Sequence, residues 1–137
     1  MFGREFQLTV TELGITAYWI FAGLMAAELL NIPAEYMYTD HLNPTVIAWN
    51  WSFFPIDIAF AICGLTARFG GIRPSLRHGL EIIAATLMLA AGIMAISFWA
   101  IRGEFDPWWW GPNFWLIGLA VWSLVVKIRA ASQTPPR

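Results

Sequence analysis

Gly79-Leu-Glu-Ile-Ile-Ala-Ala-Thr-Leu-Met-Leu-Ala-Ala-Gly-Ile-Met-Ala-Ile-Ser-Phe-Trp-Ala-Ile101 holds a single ionisable side chain, Glu81. A helix needs about 20 mostly apolar residues to cross about 30 Å of hydrocarbon. This stretch meets that requirement, and three others resemble it. The first runs over about 8–30 and is closed by Asn31 and Pro33, since proline cannot continue a helix. The second runs over about 45–67, with Pro44 near its first turn and Gly70, Gly71 and Pro74 after it. The fourth runs over about 112–128. All four are apolar on every face and too long for membrane strands, which need about 9–11 alternating residues. A helix also satisfies its own backbone N–H and C=O groups inside lipid. The expected fold is an all-α membrane protein, a bundle of four transmembrane helices forming one membrane domain over 1–137.

Composition agrees. Hydrophobic residues make up 58% of the 137 residues and charged residues 12%, against about 25% charged in an ordinary soluble domain. Eight Lys+Arg balance nine Asp+Glu, for a net charge of -1. That leaves no basic footprint for nucleic acid. The lone cysteine, Cys63, has no partner in the chain for a disulfide. Arg4, Glu5 and Gln7 precede an apolar run too long for a cleavable signal, so this run reads as the first span.

The basic residues set an orientation. Arg68, Arg73 and Arg77 lie between spans two and three, Lys127, Arg129 and Arg137 follow span four, and Arg4 precedes span one. Only Arg102 falls on the other side. Positive charge stays in the cytoplasm, so the N-terminus, the C-terminus and the 68–78 loop are expected there, in a multi-pass protein of a bacterial inner membrane. Trp49, Trp51, Trp99, Trp108, Trp109, Trp110 and Trp115 then fall near the outer interface, which indole rings favour. The stretch from Phe105 to Pro112 is expected to lie along the outer membrane surface as an anchor, or else to form an aromatic lid.

Depth sorts the carboxylates. Glu12 and Glu81 sit near the inner ends of their spans, level with Arg68, Arg77 and His78. Residues there can pair or reach water. Glu28, near the outer end of span one, is level with Asn50 and Arg102, which suggests a Glu28–Arg102 pair. Asp57 differs. It falls near mid-membrane, where an Asp costs roughly 2.5–3.5 kcal/mol to insert. Such a residue faces the bundle interior and is a functional candidate by default. Pro55 frees the carbonyl of Trp51 at the same level. Helical spacing puts Asn50, Phe53 or Phe54, Asp57, Ala61, Gly64 and Arg68 on one inward stripe. Span three offers a small stripe of Ala85, Gly92 and Ala95, with Met88 between. Asp57, Asn50, Trp51, Glu28 and Glu81 are therefore the candidate functional residues.

Several chemistries find no support. His41 and His78 lie on opposite sides and cannot share a haem iron. There is no HExxH, CxxC or phosphate loop. Glu35, Thr39, Asp40 and His41 form a polar loop of unspecific metal-ligand spacing. No metal and no cofactor is expected.

The run Asn43-Pro-Thr-Val-Ile-Ala-Trp-Asn-Trp-Ser-Phe-Phe-Pro-Ile-Asp57, continuing to Cys63-Gly-Leu65, resembles the bacterial YvaD family. The resemblance implies a small inner-membrane protein and no established activity. Three functions follow as expectations. The leading one is a non-enzymatic transporter or accessory subunit with Asp57 handling a proton or cation beside Asn50, Trp51 and Tyr18. An isomerase-like enzyme on a lipid-soluble substrate would need a second carboxylate in the Asp57 cavity. A structural role would pack the small face of span three against a membrane partner or a second copy. The charge bias also makes a direct prediction. A fluorescent protein fused after Arg137 fluoresces in the cytoplasm, and an alkaline phosphatase fused there stays inactive. An active phosphatase would reverse the orientation.

Overall fold

The computed structural model describes residues 3–36, 38 and 40–132. Thr39 of the polar loop and Arg137 of the charge bias lie outside the described residues. The chain is all-helical, with no strand among the described residues. Its helices are α1 (Arg4–Ala26), α2 (Pro44–Ser52), α3 (Phe54–Phe69), α4 (Pro74–Arg102) and α5 (Pro107–Ser132). Together α2 and α3 form one span, so four segments are long and apolar enough to cross a membrane.

The helix ends differ from the sequence expectation, each for a local reason. α1 begins earlier, at Arg4, and stops at Ala26 rather than near Leu30. Glu28 takes a left-handed conformation (φ 59°), and the amides of Glu28 and Leu29 donate back to the carbonyls of Met25 and Leu24. This is a Schellman ending, with Glu28 where glycine is usual. Glu28 therefore lies beyond the helix, in the loop. α4 ends the same way with Gly103 (φ 71°) in that position.

α5 begins at Pro107, five residues before the expected start. The Asp106 side chain accepts from the Trp108 amide at 2.9 Å, and Pro107 occupies the first turn, a favoured helix start. Trp108, Trp109 and Trp110 are thus the opening of a spanning helix and not a strap along the surface. Only Trp108 stands out from the bundle, 89% exposed.

The second span breaks at Phe53. Its amide bonds to the nearer Asn50 carbonyl (3.1 Å), and Pro55 brings no donor to the ladder. The break gives α3 its own N-terminus midway along the span, three residues before Asp57.

In the bundle, α3 packs against both α1 and α4, α4 packs against α5, and α5 closes loosely on α1. The start of α1 and the end of α5 lie at one end, here the terminal end, and the described residues between α1 and α2 and between α4 and α5 lie at the other, the loop end. The expected stripes do face inward: Asn50, Phe53, Asp57, Ala61 and Gly64 are buried, as are Ala85, Met88, Gly92 and Ala95. Phe54 points outward. The core centres on Phe60, Met88, Leu116, Leu119 and Ala120. Ile20, Phe21, Ile62, Ile93, Trp122 and Val126 are exposed around the outside. In water such a coat would be a liability, and in lipid it is the natural surface.

Two glycines permit the closest approaches. A Cβ at Gly92 would come within 2.8 Å of Ile117 Cγ1 and 3.0 Å of the Asn113 carbonyl. A Cβ at Gly64 would overlap the Glu12 carboxylate itself. Gly64→Ala is therefore expected to lower stability by about 1–3 kcal/mol through overpacking. Gly14→Ala, where a Cβ meets nothing within 4 Å, leaves stability unchanged or slightly raised. Thermal unfolding of both variants in one detergent checks this, and equal midpoints would refute the close approach at Gly64.

Candidate functional site

Polar residues inside the bundle gather in two places. At the loop half, Asp57 is 6% exposed. One of its carboxylate oxygens accepts from the indole N–H of Trp19 at 2.9 Å. Trp19 lies on the inward stripe of α1 with Leu8, Glu12, Ile15 and Ala22, at helical spacing. The break at Phe53 helps the carboxylate, because the positive end of the α3 dipole sits at its level. About two turns toward the loop end, Asn50 is 2% exposed and its Oδ1 accepts from the Tyr18 hydroxyl at 3.1 Å.

These residues line two hollows. A cavity of about 260 Å³ lies between the helices, with Tyr18, Trp19, Asn50, Asp57, Trp109 and Asn113 in its wall. A larger one, about 570 Å³, lies under the loop and is lined by Glu28, Asn31, Tyr38, Asn50 and Trp51 among others. Asn50 belongs to both walls, so the Tyr18–Asn50 hydrogen bond stands at their junction. Among the described residues, no Lys, Arg or His lines either hollow. The inner wall is aromatic. Trp19 packs on Trp51 (ring centroids 5.5 Å apart), and Trp109 packs on Trp49 (5.3 Å). The buried indole N–H of Trp109 has no acceptor among the described residues. A cavity with these polar groups and this volume is large enough to admit water or a small ligand.

The terminal half is built differently. Glu12 is 1% exposed and forms an ion pair with Arg68 of α3. Glu81 pairs with Lys127 of α5, and Arg4 with Glu5 at 2.5 Å. Arg68 also approaches Glu5 at 3.9 Å. The space among these groups is only about 20 Å³, enough for roughly one water. Three carboxylates and three cations balance, so this end is sealed by charge pairs.

Sequence and structure can be compared residue by residue. Asp57 and Asn50 line one cavity together, and Trp51 and Glu28 line the adjoining one. Glu81 lies at the far end, away from all four. The expected Glu28–Arg102 pair does not form. Arg102 donates to Asp40 (3.0 Å) and Glu104 (2.9 Å) and lies over the rings of Phe98 and Trp99, because Glu28 has left the helix. Glu12 does not reach water as a span-end residue might. Arg68 meets it inside, whereas Arg77 and His78 are exposed. Trp99, three residues from the end of α4, is turned into the bundle and is 2% exposed. Trp115 donates to Thr11 of α1 at 3.0 Å, well inside the span. Asp40 of the polar loop is engaged by Arg102 and by Asn43 (3.0 Å). Trp19, Trp109 and Asn113 were missed as site residues. For Trp19 the inward spacing on α1 was a readable signal.

Comparison with known proteins places this architecture. A model described as a family of unknown function, DUF5360, matches residues 4–133. The uncharacterized protein YvaD of Bacillus subtilis (strain 168) is 34% identical over 126 residues, covering 91% of each chain. No solved structure matches the chain.

The sealed end yields a stability prediction. Arg68→Ala leaves the Glu12 carboxylate buried without its countercharge, a loss of about 3–5 kcal/mol. Adding Glu12→Gln removes the orphan charge and recovers most of the loss. Unfolding midpoints in detergent measure both, and a double variant no more stable than Arg68→Ala would show that the pair is not the interaction at stake.

Proposed function

The chain belongs to the DUF5360 family of unknown function, and from that premise we propose that it is a small non-enzymatic carrier, or the cation-handling subunit of one, in a bacterial inner membrane. Asp57 is its binding carboxylate. A small cation, or a proton in its place, enters from the loop end, which in this reading faces the outside. Both termini and the 68–78 loop are cytoplasmic.

The observation that carries the reading is the company Asp57 keeps. Its partner, the Trp19 indole, supplies a hydrogen bond and no positive charge. Its cavity holds no basic side chain. Aromatic faces attract a cation through their ring quadrupoles, and a carboxylate in a medium of low dielectric attracts it strongly. The access is one-sided, as a carrier requires: hollow toward the loop end and sealed by ion pairs at the terminal end. The isomerase-like alternative gains no support, since among the described residues Asp57 is the only carboxylate lining its cavity. A purely structural role loses its main surface, because the small residues Ala84, Ala85, Ala91, Gly92 and Ala95 are buried within the bundle itself.

Tetraethylammonium tests the proposal, being a permanent cation that does not cross lipid unaided. Purified protein in liposomes is expected to take up the radiolabelled ion above the level of empty liposomes. Asp57→Asn, which preserves shape and the acceptor for Trp19, is expected to insert normally and to lose at least roughly tenfold of that uptake. Wild-type uptake that persists in Asp57→Asn would sink the carrier reading.

A further inference from the structure

We propose that the site takes a linear polyamine, with one ammonium at Glu28 and another at Asp57. This rests on the reading above that the Asp57 cavity binds cations, and it names the chemical class. The two hollows share Asn50 and carry one carboxylate each. Asn50 and Asp57 are seven residues apart on the second span, which is about 10 Å along a helix. Glu28 lines the larger hollow and Asp57 the inner one, so the two carboxylates stand in separate compartments that meet at Asn50. A small monocation cannot touch both. An extended alkyl chain with an ammonium at each end can.

The walls suit such a chain. Methylene segments pack along Trp19 and Trp51, whose rings lie 5.5 Å apart, and along Ala22 and Met25. A secondary ammonium in mid-chain meets Asn50. It donates to Oδ1 in place of the Tyr18 hydroxyl, which exchanges one hydrogen bond for another and opens the junction. Glu28 is exposed and held outside α1 by its left-handed backbone. It has no countercharge within 4.0 Å among the described residues, unlike Asp40 and Glu104, which Arg102 neutralises. A carboxylate at the mouth of a hollow without basic residues draws cations inward. The ligand then moves from a wet carboxylate to a buried one, with charge-assisted hydrogen bonds at both ends.

The test compares two cations on the purified full chain in detergent by titration calorimetry. Spermidine is expected to bind at least roughly tenfold tighter than butylammonium, which reaches one carboxylate only. Glu28→Gln is expected to weaken spermidine by roughly tenfold while leaving tetraethylammonium within about twofold. Asp57→Asn weakens both. Glu28 is exposed, so its amide variant folds, and an unchanged unfolding midpoint confirms that. Spermidine affinity unchanged in Glu28→Gln, or no tighter than butylammonium in the wild type, overturns the polyamine assignment and leaves the Asp57 site standing. Loss of tetraethylammonium binding in Glu28→Gln also overturns it, because Glu28 would then serve every cation. Tetraethylammonium binding that survives Asp57→Asn brings down the underlying reading instead.

Discussion

A charge surrounded by hydrocarbon has to find its partner inside the protein, and the bundle is arranged around that demand. Glu12 of α1 meets Arg68 of α3. Their contact fixes where α1 sits and requires a residue without a side chain at Gly64. Glu81 of α4 meets Lys127 of α5, which ties the second pair of helices. At the other end Arg102 holds the loop through Asp40. The seam between α1 and α5 carries a neutral bond, from Trp115 to Thr11, and no ion pair among the described residues. The strong links therefore run within helix pairs, and the weak one lies between α5 and α1, beside the cavity.

Much of this was legible in the sequence, because hydrocarbon imposes simple rules. Twenty apolar residues in a row have few alternatives to a spanning helix, so the number of spans could be counted. The inward stripe through Asn50, Asp57, Ala61 and Gly64 followed from helical spacing alone. The helix ends were harder. Pro33 offered a stop for α1, but the stop that occurs depends on Glu28 taking a left-handed turn that its residue type disfavours. No local pattern announces that. The start of α5 was different. Asp106 followed by Pro107 is an ordinary cap-and-proline start, and the three tryptophans after it drew attention to the interface instead. The Glu12–Gly64 contact was out of reach, since it depends on how two helices meet and not on either one.

The two halves of the molecule follow from two uses of polar residues. At the terminal half, opposite charges sit face to face with almost no free volume between them. At the loop half, bulky aromatic rings and neutral polar groups line the space, and the charged residues described in its walls, Glu28 and Asp57, are both acidic. Rings of this size cannot pack as closely as the alanine and glycine stripe of α4, which is buried from Ala84 to Ala95. The break at Phe53 adds to the effect, since α2 and α3 no longer share one straight hydrogen-bond ladder. Hollow and seal are thus consequences of residue size and charge placed at opposite depths.

This difference also sets Asp57 apart from Glu12, Glu28 and Glu81. Glu12 and Glu81 are already neutralised by a cation at contact, so a further cation would have to displace an arginine or a lysine. Glu28 is exposed, so water shares its charge, and it lines the outer hollow and not the buried one. Asp57 is buried and has one neutral donor. A neutral indole N–H orients the carboxyl but leaves its charge uncompensated. The α3 N-terminus supplies partial positive charge at most. The remaining demand is for one proton or one cation, and an adjoining cavity without competing basic groups is where either can arrive. A protein that needed Asp57 only as packing would have gained more from an arginine within reach, as it has at Glu12.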